Sequence, residues 1–193
     1  MVAGVPGFYR KVDSAQPGRR YWSIAAMGLL VPVRDPGGRV VAFQVRLDDV
    51  RPGGSRYVWL SSARHGGPGP GTPPHVPLHD GSTHEVIRIT EGCLKADAAT
   101  LLDPDRILTL GFPGADTWPT VLPVLEELGA RTVHVAFDAD CRTNRRVTVQ
   151  LQRCVRELAR LGYRRVLEVW TEPKGIDDLF ASGGRPETVR DDP

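Results

Sequence analysis

From Val86 onward, short apolar runs of strand length alternate with stretches of helical period. The strand-like runs are 86–90, 107–110, 132–137 and 166–170; helical stretches occupy 94–102, 120–128 and 144–161, with a short helix starting at Ile176. β and α segments alternating at this length predict a parallel sheet joined by right-handed crossovers. The longest helical stretch is amphipathic: Val147, Leu151, Val155, Leu158 and Leu161 recur at intervals of three and four, while Arg145, Arg146, Arg153, Arg156 and Arg160 lie largely off that stripe. Pro119 and Pro123 stand near the start of the second helical stretch, where proline is best tolerated, and Gly162 is placed to stop the third.

Three of these segments run into carboxylates. Val86-Ile87-Arg88-Ile89-Thr90 ends in Glu91-Gly92, Val133–Phe137 ends in Asp138-Ala139-Asp140, and Pro173-Lys174-Gly175 leads through Ile176 into Asp177-Asp178. An open parallel sheet binds ligands at the carboxyl ends of its strands, so acids in these places point to hard divalent cations and to phosphoryl-transfer chemistry. Asp138 and Asp140 are two residues apart and a turn can aim both at one ion, while Gly92 permits close backbone approach beside Glu91. Taken singly, each cluster is equally well read as capping the helix that follows.

The first 85 residues read as strands and turns. Runs 29–35 and 40–47 flank Pro36-Gly37-Gly38-Arg39 as a β-hairpin, 56–60 suits a third strand, and 66–74 is a Gly/Pro-rich loop. Charge divides with the chain: residues 1–85 carry +4 and 86–193 carry −2. A basic part beside an acidic one suits a polyanionic ligand held near metal. Cys93, Cys141 and Cys154 have no zinc-ligand spacing, so they are read as reduced thiols of a cytoplasmic protein. The apolar run 24–33 is too short to span a bilayer and contains Pro32, so no membrane association is expected.

Residues 86–182 resemble a Toprim domain, the catalytic module of bacterial-type DNA primases, type IA and type II topoisomerases and several nucleases. The resemblance rests on Glu91-Gly92, on Asp138-x-Asp140 and on Lys174-Gly175-Ile176-Asp177-Asp178. Ile89–Ala98 and Ala136–Asp140 with Asn144 are most similar to Toprim domains of plasmid, phage and mobile-element replication proteins. One position departs: cellular primases usually carry an acid four residues after the glutamate, and Lys95 stands there. Either Asp97 compensates or Lys95 contacts a phosphate. Residues 28–35, 38–46 and 55–62 resemble the small basic subdomain that precedes Toprim in primase cores.

The resemblance implies an α/β chain with a Rossmann-like parallel Toprim sheet and flanking helices at 86–185, preceded by a small, mostly β, basic subdomain at 1–85 and followed by a tail at 186–193. It implies a primase catalytic core that makes short oligonucleotide primers from NTPs on a single-stranded DNA template. Glu91, Asp138 and Asp140 would be catalytic and would hold two or more Mg2+ or Mn2+ ions, with Asp177 and Asp178 assisting as metal ligands. Arg34, Arg46, Arg56, Lys95 and Lys174 would bind nucleotide or DNA, and Arg34, Arg46 and Arg56 would face the metal site. A replicative helicase or further domains of the same polypeptide are implied as partners, since neither a zinc-binding segment nor a Gly-Lys-Ser/Thr phosphate loop is present in these residues. A Toprim nuclease or topoisomerase-like activity, or a non-catalytic nucleic-acid-binding module, are the alternatives. Tyr9, Tyr21, Tyr57 and Tyr163 lie in no context that suggests a strand-passage nucleophile.

Weaker candidates complete the set. His75 and His79 follow the Gly/Pro loop within reach of a nucleotide, and His134 is read as structural. Trp22, Trp59, Trp118 and Trp170 offer stacking surfaces for bases, although Trp59 and Trp170 fall in strand patterns that suit a core.

Overall fold

A computed structural model describes residues 4–24, 27–50 and 53–190, and the chain forms two compact units. One comprises Met1–Val33 with Arg39–Pro73; the other comprises Arg34–Gly38 with Pro74–Pro193. Ala25 and Ala26, within the apolar run at 24–33, lie outside the described residues.

The first unit is built from antiparallel strands. Strands β1 (Tyr9–Val12) and β2 (Arg20–Ser23) pair as a hairpin, and β3 (Gly28–Arg34), β4 (Val40–Leu47) and β5 (Tyr57–Trp59) form a three-stranded sheet. Val31 and Val33 of β3 and Ala42 and Gln44 of β4 are buried in the alternation of a sheet with one packed face, and Val45, next on β4, and Leu60, just after β5, are buried as well. Gly28, at φ +140°, is required by close approach: a Cβ there would lie 2.2 Å from the Arg46 carbonyl oxygen.

The second unit is a five-stranded sheet of β6 (Val86–Glu91), β7 (Leu108–Phe112), β8 (Thr132–Ala136), β9 (Arg164–Val169) and β10 (Glu187–Arg190), in the order β10-β9-β8-β6-β7. The first four strands are parallel to one another. Residues 187–190, which the sequence suggests as tail, pair antiparallel with β9, Glu187 opposite Val169. Helices α1 (Cys93–Leu102), α2 (Leu122–Glu127), α3 (Arg145–Arg160) and α4 (Ile176–Ala181) connect the strands. On the other edge a single antiparallel bridge joins His75 to Gly111. Among the described residues no helix is long and apolar enough to cross a membrane.

The two faces of this sheet differ because side chains alternate along each strand. Ile87, Ile89, Leu108, Leu110, Phe112, Val133 and Val135 share one core with Val124, Leu125, Val147, Cys154 and Leu158 of α2 and α3. Ala99 of α1, Ala136, Trp170 and Ile176, Leu179 and Phe180 of α4 form a second cluster. On the face of this second cluster Arg88, only 2% exposed, donates to Glu168 at 2.7 and 3.1 Å and to Asp103 at 2.7 Å, and its guanidinium lies 5.0 Å from the Phe180 ring centroid. His134 Nδ1 donates to Glu168 at 2.6 Å, which gives this histidine the structural role expected of it.

Burial pushes the Glu168 carboxyl up, but the hydrogen bonds from His134 and Arg88 outweigh it and hold the group below the usual value of 4.5. A carboxyl depressed on folding stabilises the native state above its unfolded pKa, and that contribution is lost as pH falls through the folded value. The urea midpoint should therefore drop as pH falls below about 4.5, and Glu168→Gln should flatten that slope. Gly111 sets the spacing of α1 on the sheet: a Cβ there would meet Gly92 O at 2.9 Å and Cys93 Cα and Ala96 Cβ at 3.0 Å. Gly111→Ala is expected to cost about 1–3 kcal/mol of stability by overpacking, read as a lower urea midpoint at unchanged slope.

Candidate active site

β6 lies between β7 and β8, so the chain leaves it on one side by way of α1 and returns on the other. The carboxyl ends of β6 and β8 therefore border a topological switch point, the usual place for a ligand crevice in an open sheet. Glu91 is the last residue of β6, and Asp138 and Asp140 follow β8 directly. Ala139 N–H donates to the Lys174 carbonyl at 3.0 Å, which brings the segment before α4 against the end of β8. Asp177 and Asp178 occupy the first turn of α4.

Two lysines stand among these acids. Lys95 Nζ donates to both oxygens of Asp138, at 2.5 and 2.6 Å, and the Asp138 side chain is only 7% exposed. Lys174 Nζ lies 3.0 Å from Asp140 and 3.7 Å from Asp138. The stem of Lys95 runs in a slot between two glycines: a Cβ on Gly92 would sit 3.6 Å from its Cγ and Cδ, and one on Gly175 would sit 3.3 Å from its Cε.

Burial, followed by the charge of Asp138, pushes Glu91 up to about 7, against the opposing pull of Lys95 and Lys174. Burial and then Asp178 also raise Asp177. Glu91 Oε1 and Asp177 Oδ1 are buried with no hydrogen-bond partner. A buried carboxylate oxygen without a donor is costly, and a hard cation satisfies it. The donor set is all oxygen, as Mg2+ or Mn2+ prefers, so these residues fit such ions.

The remaining candidates are distributed as follows. Arg34 belongs to the second unit, with Nη1 3.9 Å from Asp97 Oδ2. Arg46 on β4 is half-buried and Arg56 just before β5 is exposed; both belong to the first unit. Asp97 is engaged with His75, whose Nε2 lies 3.0 Å from Asp97 Oδ1 but out of line for a hydrogen bond. His75 is fully buried, not exposed on a loop, and its Nδ1 accepts from the Arg34 backbone N–H. His79 donates from Nε2 to the Pro36 carbonyl and accepts at Nδ1 from Gly81 N–H. Its approach to Asp80 and His84, the group of three potential metal ligands whose donor atoms lie within 4.8 Å of one another, is thus the fastening of a turn. Trp118 is buried and donates to Gln150 at 3.3 Å, and Trp170 is buried as the strand pattern suggests, so neither offers a face to a base; Trp22 is 38% exposed. All three cysteines are free and buried, with Cys93 and Cys154 pushed up to about 12 by burial.

Sequence reasoning missed Arg88. Its signal is a charged residue at the centre of an apolar strand, with Glu168 in another strand of the same sheet as counter-charge. Asp103, the third member, gave no such signal because it follows a helix end, where an acid is ordinary.

No protein-family model and no curated protein matches the sequence. Solved structures do. A DNA primase domain from Pseudomonas aeruginosa superposes with a TM-score of 0.61 at 19% identity, covering 94% of this chain and 54% of that one. The E. coli primase catalytic core gives 0.57 at 15% identity over 90% and 53%. A primase catalytic domain bound to single-stranded DNA gives 0.56 at 15% identity over 81% and 51%. The chain has the fold of a bacterial primase catalytic core. It spans about half the length of these primase structures. In this primase-core fold, a mostly parallel α/β sheet accompanies a small antiparallel β region, as the resemblance of residues 86–182 and 28–62 implies.

Proposed function

We propose that the chain is the catalytic core of a DNA primase, joining NTPs into short oligonucleotides on single-stranded DNA, and that it serves a plasmid, phage or other mobile replication system in the cytoplasm. The observation that carries this reading is the meeting of three acidic clusters at one switch point of a sheet with the primase-core fold. Residues 86–185 form the Toprim module in this reading, and 1–85 the basic subdomain.

Glu91, Asp138 and Asp140 hold Mg2+ or Mn2+, with Asp177 and Asp178 assisting. Two or more ions in the working complex supply charge neutralisation at the transferring phosphoryl group and activation of the attacking 3′-hydroxyl. Lys95 and Lys174 neutralise the acids and meet phosphate oxygens of the nucleotide or template. Arg34, Arg46 and Arg56 suit the same task because the guanidinium fork grips phosphate bidentately, and contacts of this kind bind template without regard to sequence. A helicase or further domains of a longer polypeptide complete template selection.

The test is incorporation of labelled NTPs on single-stranded DNA with Mg2+ or Mn2+. Products of a few nucleotides that require template and metal support the reading. Cleavage of the DNA with no incorporation under either metal would replace it with the nuclease alternative.

A further inference from the structure

We infer that Lys95 is a resident cation at the centre of the acidic site, so that the protein by itself holds one divalent ion and a second arrives only with the nucleotide. The inference rests on the metal-site reading above and names how that site is charged.

The position of the ammonium carries the argument. Lys95 follows Glu91 by four residues and folds back between Gly92 and Gly175, so its charged end is delivered to the strand ends. It takes both oxygens of Asp138, and its charge also acts on Glu91 and on Asp177. One ammonium is thus bound to one acidic cluster and close enough to the other two for its charge to act on them. A divalent ion shared by these clusters would need that same place.

The two lysines are not equivalent. The Lys95 side chain is 27% exposed, is bound twice, and is flanked along its stem by Gly92 and Gly175. The Lys174 side chain is 65% exposed and extends to Asp140 from a turn. Holding a long side chain at the surface has an entropic cost and gains little, so Lys174 gives way readily to a competing cation. Lys95 does not. The place open to an ion is therefore at Asp140, which Lys174 gives up, with the unpartnered oxygen of Glu91 at the neighbouring strand end as a further donor.

Charge agrees with a single ion. Once Lys174 has given way, Glu91, Asp138, Asp140, Asp177 and Asp178 with Lys95 leave a formal charge of −4. One divalent ion brings this to −2 and leaves the site attractive to a second ion carried in by a nucleotide, whereas two would cancel its charge before any phosphate entered.

The experiment counts Mn2+ by the loss of the free-ion electron paramagnetic resonance signal, on the full chain without nucleotide. Wild type is expected to bind one Mn2+, Lys95→Met two, and Lys95→Arg one, because the guanidinium restores the charge. Thermal melts of the same proteins should show Lys95→Met losing several degrees in chelator and regaining them with Mn2+, while wild type gains less. A wild-type count of two or more overturns the inference, as does a Lys95→Met count equal to wild type. If Lys95→Met does not fold, the wild-type and Lys95→Arg counts decide. NTP incorporation on the same preparations separates the two claims. A chain that binds one Mn2+ but makes no oligonucleotide rejects the primase reading alone, and an active chain that binds two rejects the inference alone.

Discussion

Asp138→Asn should reduce NTP incorporation at least about a hundredfold, the scale of removing one charge-stabilising contact from a transition state. Asp138 combines more constraints than the other acids: its side chain is 7% exposed, it accepts twice from Lys95, and Lys174 lies 3.7 Å away. The asparagine keeps the shape, so what is lost is charge. Lys95 then loses its counter-ion, and the site favours nucleotide phosphate more and metal less. Incorporation should fall at every Mg2+ concentration, because added metal does not restore the missing charge. Asp178→Asn offers the contrast, since Asp178 is exposed and placed to assist; its loss should be several-fold and partly recovered at high Mg2+. Equal losses for the two substitutions would remove the distinction between acids that carry the chemistry and acids that assist.

The largest expected effect on stability comes from Arg88→Met. Arg88 is 2% exposed and its fork is shared between Glu168 and Asp103, themselves 3% and 2% exposed. Methionine fills much of the volume but strands two buried carboxylates, and breaking a buried pair in this way costs about 3–5 kcal/mol. For a unit of this size that corresponds to a fall in melting temperature of roughly 10 °C or more. Arg88→Met combined with Glu168→Gln should recover a substantial part of the loss, because one orphaned charge is gone. A single substitution within 1 kcal/mol of wild type would show that the network contributes little.

Much of the second unit was legible because its signals are local. The amphipathic stripe at 144–161 became α3 at Arg145–Arg160, and the apolar run ending at Glu91 became β6. The hairpin at 29–35 and 40–47 matched because Pro36-Gly37-Gly38 marks its turn. The hairpin of β1 and β2 was missed because Tyr-Arg-Lys-Val and Arg-Tyr-Trp-Ser are largely exposed and carry no apolar alternation. β10 was missed for a related reason: Glu-Thr-Val-Arg has one apolar residue, and its pairing is supplied by β9.

At the site, the acids were legible because parallel strands align their carboxyl ends, so each strand end announces itself without knowledge of the others. The bond between Lys95 and Asp138 was not, because the two are 43 residues apart and meet only through the placement of β8 beside β6. The same reason hid the partners of His75 and Asp97, which are joined across the turn from residue 75 to α1.

The single bridge between His75 and Gly111 and the reversed strand β10 have a shared consequence for how this sheet behaves among other molecules. A parallel sheet exposes a row of unpaired amides and carbonyls along each margin, and such rows recruit other chains into continuous sheets. Here one margin ends in β10, an edge strand of only 4 residues that offers little to pair with, and the other is interrupted where His75 exchanges hydrogen bonds of 2.7 and 2.9 Å with Gly111. Both β10 and His75 lie outside the stretch that carries the acids. A fragment trimmed to residues 86–186 would keep every acid of the site and lose both, and it should self-associate at concentrations where the longer chain stays dispersed.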